Sequence, residues 1–224
     1  MEQYINARRS SFNLNNVREV LNVIIPVLKS VKSARKTYII ESRDYIKKNI
    51  SQIDLLLASD RLYNEKIEYE SILNFVDFIN TKIKYKIMNE MKLVYSHGDL
   101  WEGNLLISKF KKPVIIDWET GGLRSLYFDF YYFMFMLASK KNSFGKVDKE
   151  EIKMLHRTLN YIIRESQISN KNNLNIDIEI YRYLFYIELI KMKLEEKKRD
   201  MNKQEVMTWI KRFKAFEAEI IRCK

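Results

Sequence analysis

The sequence predicts a mainly α-helical chain with a small β-insert near its middle. Three observations predict it. Long stretches repeat apolar residues at helical intervals, three short apolar runs break that period between residues 93 and 116, and four of the five glycines crowd into residues 98–122. Helical spacing turns one face of each stretch toward a core. Runs of three or four apolar residues are too short to bury a helix and suit strands. Glycines gather where the backbone must turn tightly.

Composition bounds the rest. A chain of 224 residues, 46% hydrophobic and 31% charged, has enough apolar surface to fold as a globular protein, which excludes disorder. Its one cysteine, Cys223, excludes a disulfide scaffold and a cysteine-based zinc site, and fits a reducing cytoplasm. No apolar run reaches the ~18 residues that span a bilayer, and the N-terminus lacks the apolar core of a signal peptide, so a cytoplasmic location is expected. The net charge of +11 raises the question of a nucleic-acid partner. Residues 1–50 hold ten basic and four acidic side chains and residues 190–224 hold eleven and six, so the excess lies on terminal segments that read as helices. Over the whole chain 27 lysines outnumber 13 arginines, and no recognisable reading module accompanies the excess. It reads as solvated helix faces, and no specific nucleic-acid partner is expected.

Taken in order, residues 1–14 read as an irregular or extended entry, and residues 15–90 as three helices. The first carries Val17, Val20, Leu21, Ile24, Leu28 and Val31, with Pro26 kinking or dividing it. The second opens at Ser42 and carries Ile46, Ile50, Ile53 and Leu57. The third, over roughly 64–90, aligns Tyr69, Ile72, Leu73, Val76, Ile79, Ile83 and Ile87. Residues 93–122 then supply the β-insert, from the runs Leu93–Tyr95, Leu105–Ile107 and Val114–Ile116 and a loop at Gly121 and Gly122. From 125 to 224 the chain is helical again: Asp129 opens an apolar helix to about Ala138, and three amphipathic helices follow at about 148–168, 177–198 and 203–222. The aromatic run Tyr181, Tyr183, Phe185, Tyr186 reads as core on one face. With no repeat and no linker, 1–224 reads as a single domain.

Three polar side chains fall at strand ends in the insert: Asp99, Asn104 and Asp117. Asp99 and Asn104 sit five residues apart on a loop that doubles back, and Asp117 closes the third run. A carboxylate and an amide oxygen converging there are hard oxygen ligands suited to Mg²⁺, which takes one or two protein carboxylates and completes its shell with water and phosphate. A second carboxylate in the same space can orient a hydroxyl nucleophile.

His97-Gly98-Asp99, then Asn104, then Asp117-Trp118-Glu119 after an apolar strand, resembles the catalytic core of the aminoglycoside phosphotransferase and choline kinase family. That resemblance implies a protein-kinase-like fold, of which this chain reads as the large C-terminal lobe. It also implies a phosphotransferase using Mg²⁺ and ATP, or another nucleoside triphosphate, with a small-molecule hydroxyl as acceptor. Asp99 would orient or deprotonate that hydroxyl. Asn104 and Asp117 would hold Mg²⁺ on the nucleotide phosphates, with Glu119 touching a metal-bound water. His97 would anchor the loop, Gly98 would provide its turn, and Asp129 matches a structural aspartate of the family. Glu119 replaces the glycine of the protein-kinase Asp-Phe-Gly pattern, as in choline-kinase-like members.

The resemblance also implies something missing. A kinase-like enzyme covers its phosphates with a glycine-containing hairpin and a lysine from a small antiparallel lobe. Residues 1–97 contain no glycine and read as helices, and Glu2-Gln3-Tyr4-Ile5-Asn6-Ala7 resembles the segment that follows the hinge between lobes. The N-terminal nucleotide lobe is therefore expected to be absent. Two readings stand: a phosphotransferase completed by a separate nucleotide-binding lobe, or a folded but inactive remnant or binding module.

Overall fold

The computed structural model describes residues 7–9, 37–60, 66–84, 86, 90–108, 113–139, 153, 156–158, 160–161, 178–196 and 199–222. Among these the chain is mostly helical with two small sheets. It divides into two compact units, residues 1–38 with 93–176 and residues 39–92 with 177–224.

The second unit is a helical bundle. Helix α1 (Ser42–Asp60) buries Ile46, Ile53 and Leu57, and helix α2 (Lys66–Lys84) buries Ile72, Phe75, Val76, Ile79 and Ile83. These positions recur at intervals of three, four and seven, so each helix offers one apolar stripe. Helix α4 (Ile178–Glu195) is different: every residue from Ile180 to Ile190 is buried. The run Tyr181, Tyr183, Phe185, Tyr186 therefore does not mark one core face, because this helix is enclosed all round by α1, α2 and α5 (Arg199–Arg222). Phe213 of α5 is the hub, with its ring 4.0 Å from Tyr186, 5.7 Å from Phe185 and 6.1 Å from Phe75.

An enclosed helix that carries charge must pair it internally. Arg182 forks onto Glu217 of α5, with Nε donating at 2.7 Å and Nη2 at 3.1 Å, and the hydroxyls of Tyr183 and Tyr186 donate to the same carboxylate at 3.4 and 2.9 Å. Glu188 accepts from the hydroxyl of Tyr45 at 2.5 Å.

The described residues also include six strands. β1 (Ala7–Arg9), β4 (Leu105–Ser108) and β5 (Pro113–Ile115) form an antiparallel sheet in the order β1-β4-β5. The other sheet has the order β2-β3-β6, from β2 (Tyr38–Glu41), β3 (Glu90–Ser96) and β6 (Gly122–Ser125), and Leu93–Ser96 of β3 pairs antiparallel with β6. A helix, α3 (Phe128–Ser139), follows at once and is buried at every position from Phe128 to Phe135.

Several expectations change. The third helix stops at Lys84, and strand begins at Glu90 in place of Leu93; Met91, Leu93 and Val94 are buried, and Leu93–Ser96 pairs with β6. Tyr38–Glu41, read as part of a helical region, is a strand beside β3, and its residues Tyr38, Ile39 and Ile40 are of β-favouring types. Gly122 starts a strand and does not end a loop; β6 has no apolar pattern of its own, and its pairing with β3 makes it a strand. The helix over 15–31, Ile87 and the loop 170–175 lie outside the described residues, as do most of 148–168, of which 153, 156–158 and 160–161 are helical.

Candidate active site

Two loops of the first unit, 97–104 between β3 and β4 and 116–121 between β5 and β6, carry the polar residues singled out by sequence. Side chains hydrogen-bonded to its backbone hold the first loop. Asp129, in the first turn of α3, accepts from the amides of His97 at 2.7 Å and Gly98 at 2.8 Å, one on each carboxylate oxygen. The His97 carbonyl accepts from the hydroxyl of Thr120 at 2.9 Å, and the Asp99 carbonyl accepts from Asn104 Nδ2 at 2.9 Å. Asp129 is 6% exposed, so its two charge-assisted bonds operate with little water to compete.

The His97 ring joins the two loops. Its Nε2 lies 2.7 Å from the Ile116 carbonyl, and Asp99 N–H donates to Nδ1 at 3.3 Å. A carbonyl can only accept, so Nε2 carries the proton and Nδ1 is the acceptor. Both ring nitrogens are thereby committed to backbone. Trp118 packs edge-on to the imidazole at 4.8 Å and lies near-parallel to Tyr95 at 6.4 Å.

Gly98 is required at its position. Its φ of +88° lies in the left-handed region, and an added Cβ would sit 2.6 Å from the Thr120 carbonyl oxygen and 2.9 Å from the Arg124 guanidinium. That guanidinium donates to the Thr120 carbonyl at 2.9 Å and lies 4.9 Å over the Phe128 ring, so it fills the space under the turn.

Asp99 is half-buried, and its side chain is held on both oxygens. Oδ1 accepts from the hydroxyl of Tyr132 at 2.6 Å and Oδ2 from Asn104 Nδ2 at 3.2 Å. Asn104 is 6% exposed and closes a 3₁₀ turn (Glu102–Asn104) through its N–H to the Trp101 carbonyl at 3.0 Å. Its carbonyl accepts from Ile116 N–H at 3.0 Å, which ties it to the second loop. Because its side-chain nitrogen faces Asp99 twice, Oδ1 is the amide atom left for a ligand.

Asp117 follows Ile116, whose N–H and carbonyl are both tethered to the first loop. Asp117 itself has φ +62°, a left-handed conformation uncommon outside glycine, asparagine and aspartate, and its side chain is exposed without a hydrogen-bond or ion-pair partner among the described residues. Glu119 lies exposed in the following turn. The structure thus draws His97, Gly98, Asp99, Asn104 and Asp129 into one hydrogen-bonded cluster, sets Asp117 on the adjoining segment, and leaves Glu119 outside the cluster. Among the described residues no three His, Cys, Asp or Glu side chains cluster as a metal site. One carboxylate and one amide oxygen are still a fitting donor set for Mg²⁺, which draws most of its shell from water and phosphate.

Thr120 and Tyr132 are the residues of this cluster that the sequence did not single out. For Tyr132 the available signal was its offset of three from Asp129, which places both on one face of α3.

Residues 39–151 match the phosphotransferase enzyme family. The chain belongs to that family. Two solved structures of glucosamine kinase share the fold: one, in crystal form B, at TM-score 0.60 and 11% identity, over 94% of this chain and 55% of that one. The other, in complex with glucosamine, ADP and inorganic phosphate, has TM-score 0.58 and 11% identity, over 94% and 56%. The chain thus spans a little over half the length of these kinases. No curated protein matches it. Membership of the phosphotransferase family and the kinase-like fold agree with the mixture of helices and small antiparallel sheets described above.

Proposed function

We propose that this chain carries the catalytic loops of a phosphotransferase that moves the γ-phosphoryl group of ATP, or of another nucleoside triphosphate, to a hydroxyl of a small molecule. The observation that carries the reading is the Asp99 carboxylate, held on both oxygens beside an amide oxygen and an exposed carboxylate from the adjoining loop. In this reading Asp99 orients the acceptor hydroxyl and takes its proton as the oxygen bonds to phosphorus and the β–γ bridge breaks to release the nucleoside diphosphate. A loose transition state asks for little early proton transfer, so orientation is the larger part of that role. Asn104 Oδ1 and Asp117 would hold Mg²⁺, with Glu119 on a metal-bound water. When bound, Mg²⁺ neutralises phosphate charge. His97 anchors the loop, while Gly98 and Asp129 hold its turn.

The acceptor class is an amino alcohol, an aminoglycoside or a sugar-like molecule, and the glucosamine kinase structures of similar fold support the sugar-like end of that range. The reading takes residues 1–224 as one kinase-like large-lobe domain, cytoplasmic in location. Phosphate contacts from a nucleotide lobe come from outside these residues, either from further sequence or from a second chain. Supporting this, Tyr95, Trp118 and Leu123 expose 48%, 37% and 48% of their surface beside the catalytic loops, and Tyr95 and Leu123 are direct cross-strand partners. No helix among the described residues is long and apolar enough to cross a membrane.

Calorimetric titration with ATP, with Mg²⁺ and with a chelator, tests the metal assignment in the wild type and in Asp117→Ala. Mg²⁺ should strengthen nucleotide binding to the wild type, and Asp117→Ala should remove at least roughly tenfold of that gain, the scale of a lost charge-assisted contact. Equal Mg²⁺ dependence in the two proteins would sink it.

A further inference from the structure

The hydroxyl of Tyr132 donates to Asp99 Oδ1 across 2.6 Å, the short distance expected for a charge-assisted bond to a carboxylate. Asn104 Nδ2 donates to the other oxygen at 3.2 Å. A carboxylate with a donor on each oxygen cannot turn about its Cβ–Cγ bond without breaking both contacts, so its plane is fixed. The two donors come from different places. Asn104 arrives through the loop's own turn, whereas Tyr132 arrives from α3, three residues after Asp129.

Residues three apart share a helix face. One face of α3 therefore grips the loop twice, at the His97 and Gly98 amides through Asp129 and at the Asp99 side chain through Tyr132. The Tyr132 ring is 3% exposed and stacks on Phe128 at 6.3 Å with 14° between the planes, so the hydroxyl is presented on an immobilised support.

We propose that Tyr132 is a positioning residue for phosphoryl transfer: its hydroxyl sets the rotation of the Asp99 carboxylate, so that the lone pairs left by Tyr132 and Asn104 face the acceptor hydroxyl. This rests on the reading of Asp99 as the group that orients that hydroxyl. Removing the phenolic oxygen leaves the ring packing in place and lets the carboxylate turn. The effect falls on turnover and spares nucleotide binding.

The experiment is a double-mutant cycle of Tyr132→Phe and Asp99→Asn in the active protein, scored on a hydroxyl acceptor. Tyr132→Phe should lower kcat by roughly ten- to a hundredfold, the scale of one hydrogen bond to a charged group, while KM for the nucleotide and the urea midpoint stay near wild type. On the residual rate of Asp99→Asn the same change should cost less than about threefold, because the two side chains act as one unit. An undiminished kcat, or an equal cost in both backgrounds, overturns the proposal. Proton NMR supplies a reading that needs no activity: a protected downfield Tyr132 hydroxyl proton, lost in Asp99→Ala. Its absence from the wild type overturns the contact and the proposal together. A protein that shows this resonance yet transfers no phosphoryl group refutes the function and takes the proposal with it. An active wild type with an indifferent Tyr132→Phe refutes the proposal alone.

Discussion

Gly98 shows how much of the site is decided by backbone at a single residue. Its amide reaches Asp129 from a conformation with φ +88°, and the space where a side chain would start is taken by Thr120 and Arg124. Gly98→Ala combines left-handed strain with a clash against a carbonyl oxygen that is itself held by Arg124. Its expected cost is about 2–4 kcal/mol of unfolding free energy, read by urea denaturation, together with loss of activity. Retention of wild-type stability would mean that the turn can relax. Asp117 carries the same conformational signature without being glycine. A left-handed conformation kept at an exposed carboxylate is the kind of feature that accompanies function. Sequence made His97, Gly98, Asp99, Asn104 and Asp117 legible because they lie on two short loops whose spacing is local. Tyr132 was hidden for the opposite reason. It stands in a run of buried aromatic residues, and nothing in Phe128–Leu137 separates a tyrosine that fills space from one whose hydroxyl is used.

Among the elements, α4 behaves as the axis of the helical unit, and its internal charges make that unit sensitive to alkali. Burial first, then the neighbouring Glu217 carboxylate, push the Tyr183 hydroxyl well above its ordinary value of 10.0. Burial alone would lower Lys193, but Glu205 and Glu196 outweigh it and leave the ammonium above its ordinary value of 10.5. Both groups stay protonated in the folded chain after the unfolded chain has begun to lose those protons. Their contribution to stability is therefore whole below about pH 10 and is lost as the pH rises through the folded values. Melting temperatures should hold steady up to about pH 9.5 and then fall, less steeply in Tyr183→Phe. A fall of equal slope in that variant would remove Tyr183 from the account. The amphipathic helices α1, α2 and α5 could be read from their stripes, since periodicity is a property of the chain itself. Strands β2 and β6 could not. Each is four residues long and owes its state to β3, which lies far away in sequence.

For the whole molecule, the helical and sheet content, the match of residues 39–151 and the likeness to glucosamine kinase converge on one phosphotransferase ancestry. The +11 charge, the first feature to suggest a partner, is not what builds the site, whose hydrogen-bonded cluster joins His97, Gly98, Asp99, Asn104 and Asp129, with Asp117 on the adjoining segment. The five glycines were the better guide. Four of them lie on or beside the two loops, and the absence of glycine from residues 1–97 is the sequence feature on which the proposal of a nucleotide lobe outside these residues rests. The most direct test follows the labelled γ-phosphoryl group of ATP to sugar, amino-alcohol and aminoglycoside hydroxyls. It compares wild type with Asp99→Asn, in the 224-residue chain alone and fused to a kinase-type nucleotide-binding lobe. The account predicts Mg²⁺-dependent transfer to at least one acceptor, reduced roughly a hundredfold or more in Asp99→Asn. Transfer that ignores Asp99, or no transfer by either form, would contradict it.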